Sequence, residues 1–99
     1  MYEYTIGIMS EKSRKDWKAA EDPFDVISQV IYSQHCTLGY DHTLSRYFHD
    51  RIQVDWGSFA WKATLSEVKN FFFKKHLDYD LVRDLDPDEE YAVVFIEMY

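Results

Sequence analysis

The last nine residues, YAVVFIEMY, constrain the fold more than any other stretch of this chain. In an extended conformation Tyr91, Val93, Phe95, Glu97 and Tyr99 point one way, and Ala92, Val94, Ile96 and Met98 point the other. Both sides are apolar, which marks a strand interior to its sheet rather than one with a solvated face. Such a strand needs cover on two sides. Helices of the same chain supply it, or a second protein does.

The residues leading into this strand have the opposite character. Between 78 and 90 lie Asp78, Asp80, Asp84, Asp86, Asp88, Glu89 and Glu90 against Arg83 alone, a local charge of −6. The whole chain carries −7, so the other 86 residues are close to neutral. A smaller basic patch lies at Lys12, Arg14, Lys15 and Lys18, offset by Glu11 and Asp16. This balance argues against direct binding of free nucleic acid, because phosphate recognition needs a basic footprint.

Two other elements read as strands. Tyr2–Met9 alternates Tyr2, Tyr4, Ile6 and Ile8 with more polar positions, and GSFAWKAT places Phe59, Trp61 and Ala63 on one side. Four segments read as helical. Ser10–Glu21 favours one or two turns, with Trp17 and Ala20 facing inward. EDPFDVISQVIYSQ opens with Asp22 as cap and Pro23 at the first helical position, and Phe24, Ile27, Val30 and Ile31 follow at helical spacing. DHTLSRYFHDRI repeats the spacing with Leu44, Tyr47, Phe48 and Ile52, capped by Asp41 or Thr43. TLSEVKNFFFKKH carries a capping box, Thr64 with Glu67, and a buried stripe of Leu65, Val68, Phe71 and Phe72 that leaves Phe73 off it. The expected fold is α+β: one domain over residues 1–99, a three-stranded sheet with helices packed on one face, in the order β-α-α-α-β-α-β.

Three constellations bear on chemistry. Asp84, Asp86 and Asp88 match positions 1, 3 and 5 of a calcium loop, but Glu89 stands where the turn needs Gly and Phe95 where it needs a bidentate Glu. An EF-hand is excluded. His35, His42 and His49 recur at intervals of seven with Cys36 beside the first, all residue types that ligate zinc, yet no metal-binding spacing accompanies them. Cys36 adjoins His35, but sequence neighbours do not face each other on a helix, and no nucleophile, phosphate-loop or dinucleotide motif occurs. No cofactor and no metal are therefore expected.

Aromatic residues make up 18% of the chain, more than a small interior requires, and Tyr and Trp suit protein interfaces. The expectation is a non-enzymatic acidic module that binds another protein with a basic surface. Asp84, Asp86, Asp88, Glu89 and Glu90 would supply the field, Tyr91 and Tyr99 the contact rings, on an aromatic sheet face. In size and charge, not in any motif, the chain resembles phage-encoded inhibitors such as anti-CRISPR and other anti-defence or host-takeover proteins. That resemblance implies occupation of a target's nucleic-acid site by mimicry of its charges. Two alternatives stay open: a small metal protein or enzyme using Cys36 and the histidines, and a structural homodimer that covers its own sheet. One cysteine excludes an internal disulfide and fits a reducing compartment. The opening residues lack a secretory pattern and no apolar run is long enough to span a membrane, so the expected location is cytoplasmic, the host's cytoplasm for a phage-encoded chain.

Overall fold

A computed structural model describes residues 2–36 and 40–97, excepting the side chains of residues 40–42. Tyr99 lies outside the described residues, as does the side chain of His42. Among the described residues, five strands form one antiparallel sheet: β1 (Tyr2–Met9), β2 (Ile27–Cys36), β3 (His49–Asp55), β4 (Ser58–Ala63) and β5 (Tyr91–Glu97), in the spatial order β2-β1-β5-β4-β3. Three helices accompany them among these residues: α1 (Glu11–Lys15), α2 (Tyr40–Tyr47) and α3 (Leu65–Lys74). Single 3-10 turns occupy Trp17–Ala19, Pro23–Asp25 and Tyr79–Leu81.

The three-stranded sheet with helices on one face is overturned on both counts. The segment expected as a helix after Pro23 keeps only its start. Asp22 Oδ1 accepts the Phe24 N–H at 2.9 Å, the 3-10 turn ends at Asp25, and β2 follows. A bulge explains the false helical spacing. Ile6 pairs with Tyr32 but Gly7 with Val30, so Ile31 is an extra residue and two apolar side chains fall next to each other. The branched Ile27, Val30 and Ile31 favour extended backbone, and pairing with β1 decides the matter over the local cap. The helix expected through Ile52 likewise stops at Tyr47, and β3 begins two residues later. As a half-exposed edge strand with two register shifts, β3 shows no clean alternation to betray it.

β5 lies at the centre, paired with β1 and β4, and Tyr91 through Phe95 are buried. Its cover comes from two directions. On one face, α2 and α3 pack Leu44, Phe48, Val68, Phe71 and Phe72 against Tyr4, Ile6, Trp61, Val93 and Phe95. The Phe71 ring meets Tyr4 edge-on at 5.8 Å and Tyr47 at 5.1 Å, the geometry that aromatic quadrupoles favour. Trp61, fully buried, donates its indole N–H to Ser45 Oγ at 3.1 Å. On the other face, the segment between β1 and β2 folds back so that Trp17 and Val26 cover Met9, Val54, Ala60, Ala92 and Val94. The Trp17 indole N–H donates to the Asp50 carbonyl at 2.8 Å, which ties this cover to the far edge strand. Ser10 Oγ accepts the Ser13 N–H at 3.2 Å and donates to the Asp25 carbonyl at 2.6 Å, fixing both ends of the segment.

Gly7 makes the tight β1–β2 crossing possible. A methyl group there would overlap the Gln29 carbonyl oxygen and Ile27 Cγ2, one of them backbone that cannot swing aside. Gly7→Ala is therefore expected to cost about 1–3 kcal/mol, the usual penalty of overpacking. Urea denaturation measures it; an unchanged midpoint would mean that β2 is not held this closely to β1.

Candidate protein-interaction surface

The acidic stretch owes its shape to how α3 ends. His76 adopts a left-handed conformation (φ 57°) and the Leu77 N–H bonds to the Phe72 carbonyl at 2.9 Å, so the chain turns sharply out of the helix. From there acids and apolar residues divide the work. Asp78 Oδ1 accepts the Asp80 N–H at 3.1 Å and caps the 3-10 turn, and Asp86 Oδ1 accepts the Asp88 N–H at 2.8 Å beside Pro87. Val82 is fully buried and Leu85 half-buried, and they pin the lobe to the core. The Tyr91 hydroxyl, held inside, donates to the Asp86 carbonyl at 2.6 Å. Burial, with the Asp86 carboxylate a smaller influence, pushes the Tyr91 phenol above its ordinary pKa.

The expected contact residues thus separate. Asp84, Asp86, Asp88 and Glu90 are exposed. Among the described residues, the first three make no ion pair. Glu89 is half-buried and engaged by Arg14, whose Nε also lies 3.9 Å from Glu90. Asp80 pairs with Arg83 within the lobe. Tyr91, expected as a contact ring, has no exposed surface and packs into the core. The aromatic sheet face it was to share is the one α2 and α3 cover.

Beside the acids stand apolar side chains that a folded chain ordinarily hides: Phe73 at 71% exposure, Leu81 at 42% and Tyr79 at 40%. Phe73 and Tyr79 line one shallow depression with Lys69 and Asn70. Phe73 is visible in the sequence as the residue off the α3 stripe. Tyr79 and Leu81 are not, because DYDLVRD contains two adjacent aliphatics and only the structure says that Val82 is the buried one.

The histidine and cysteine constellation does not assemble. His35 Nε2 lies 3.1 Å from Glu3 on β1, and His49 Nδ1 lies 2.8 Å from Glu67 on α3. They sit on opposite edge strands, four strand spacings or about 19 Å apart. Cys36 packs toward the α2–α3 side of the sheet. Among the described residues no group of three His, Cys, Asp or Glu side chains is placed to hold a metal ion. Burial raises the Cys36 thiol above its ordinary range, the nearby Glu3 carboxylate adds to this, and the N-terminal ammonium partly offsets it. A thiol so placed is mostly protonated at neutral pH and a poor nucleophile. Its titration, followed by thiolate absorbance or by alkylation rate against pH, is expected to have a midpoint above that of a free cysteine peptide; a midpoint below it would restore Cys36 as a reactive group.

The chain matches no protein-family model, and no curated protein or solved structure matches it either. Among the described residues no helix is long and apolar enough to cross a membrane.

Proposed function

We infer that this chain is a non-enzymatic binding module whose docking surface is the acidic lobe together with Phe73, Tyr79 and Leu81. The supporting observation is the pairing of unneutralised carboxylates with exposed apolar side chains on one connected stretch, 73–88. Interfaces combine these two ingredients: desolvated aromatic anchors carry most of the affinity, and a charged rim sets encounter rate and partner choice. The partner is a protein with a basic surface. Where that surface is a nucleic-acid groove, the lobe would occupy it in place of phosphates, the mode implied by the likeness in size and charge to phage-encoded inhibitors. Such a target places the module in the cytoplasm, the host's if the chain is phage-encoded.

Affinity capture with the purified protein tests this. The wild-type chain is expected to retain a basic protein at low salt and release it at high salt, because steering by exposed charges is screened. Replacing Asp84, Asp86 and Asp88 together by Lys is expected to slow association roughly tenfold or more. Phe73→Ala with Leu81→Ala is expected to speed dissociation while leaving the salt dependence intact. A partner bound equally well by both variants would remove the lobe from the mechanism.

A further inference from the structure

The two edges of the sheet are built differently. Both edge strands shift register twice against their neighbours, but β3 also carries His49, Asp50, Arg51 and Asp55, and its Asp50 adopts a left-handed conformation (φ 53°). Charges of this kind keep an edge from pairing with another chain. β2 has no such charge. Its ten residues, ISQVIYSQHC, include no Lys, Arg, Asp, Glu or Pro, and six of them are exposed. Its one histidine, His35, is engaged by Glu3 on the neighbouring strand. Val30 is 60% exposed, and Phe24 beside it 75%. These two side chains border a groove of about 200 Å³ whose floor includes Ile27, Val94 and Ile96, on the face that Trp17 covers elsewhere.

We propose that β2 pairs antiparallel with β2 of a second copy, continuing the sheet from five strands to ten across a two-fold axis. The charge pattern selects this occupant. A strand without formal charge meets its own copy with no like-charge pair in any register, whereas charged pairs facing each other would destabilise the ladder. The acidic lobes do not oppose it. Each lobe enters β5 at Tyr91, which pairs with Ile8, and Ile8 pairs with Gln29 near the start of β2. Full-length antiparallel pairing sets Gln29 opposite Gln34 of the copy, so the two entry points lie about 17 Å apart along the strands and five strand spacings, about 24 Å, across them, roughly 30 Å in all. That is roughly three Debye lengths at moderate salt. The same operation keeps like faces together, so Phe24 and Val30 of both copies flank the seam and their grooves join into one apolar band. The seam and the acids of the lobe use different residues, β2 for the first and 78–90 for the second, and α3 reaches the seam strand where Phe72 packs on Tyr32.

Sedimentation velocity from micromolar to millimolar protein at moderate salt tests the proposal. The wild-type chain is expected to pass from monomer to dimer and no further, since pairing uses up the β2 edge. Val30→Lys with Ser33→Lys, both exposed in the monomer, is expected to weaken the dimer roughly tenfold or more, because it sets like charges across the seam. Gln53→Lys on β3 is expected to leave it unchanged. A wild-type chain that stays monomeric throughout overturns the proposal, as does a double-lysine variant that dimerises as tightly or a Gln53→Lys variant that loses the dimer. Should the double variant fail to fold, hydrogen exchange of wild-type β2 amides decides: protection that rises with concentration supports the seam, and protection independent of concentration refutes it.

Discussion

β5 cannot be solvated on either side, and this one constraint organises the molecule. Five consecutive residues, Tyr91–Phe95, are buried with side chains pointing alternately up and down, so the sheet must carry a packed layer on each face. A chain this short has few residues with which to build two layers. It meets the demand unequally. One face receives two helices and most of the large aromatics. The other receives a folded-back segment with one Trp and a few aliphatics, enough to cover Ala92, Val94 and Ala60, which are small. The size of the side chains on each face of β5 and β4 matches the thickness of the cover that each face receives.

The same constraint sets what remains exposed. Because β5 and its neighbours β1 and β4 are interior, the unpaired backbone falls on β2 and β3, and the thin cover on the second face runs out beneath β2. That is where Phe24 and Val30 emerge. The polypeptide must also deliver an intensely apolar strand to the middle of the sheet, and the stretch that does so is its most acidic. Alternating caps by Asp78 and Asp86 with anchors at Val82, Leu85 and Tyr91 hold the stretch in one shape while turning its carboxylates outward. Acids that flank such a strand also disfavour edge-to-edge aggregation. Solubility and recognition thus draw on the same residues.

The most local signals are the most legible in the sequence. The α3 capping box is present with both of its hydrogen bonds, Thr64 and Glu67 each accepting from the other's backbone, because its four residues need nothing from the rest of the chain. The central placement of β5 follows from its two apolar faces, a demand that any fold must meet. β2 reads falsely as a helix because a bulge at Ile31 turns a period of two into an apparent helical repeat, and a bulge is specified by the partner strand. β3 escapes a sequence reading because an edge strand in this sheet needs no alternation. The exposed half of the acidic lobe is foreseeable from charge alone. The burial of Tyr91 is not, since its hydroxyl partner is a backbone carbonyl five residues earlier, and no side-chain pattern announces such a bond.

Native-state hydrogen exchange resolved by residue bears most directly on the two-sided burial of β5. If both layers enclose the strand, the amides of Ala92–Phe95 exchange only through global unfolding, at the slowest rates in the chain and with the full denaturant dependence of complete unfolding. Exchange of these amides through local opening, faster than that of α3, would mean that one face of β5 is open and that the sheet does not carry two packed layers.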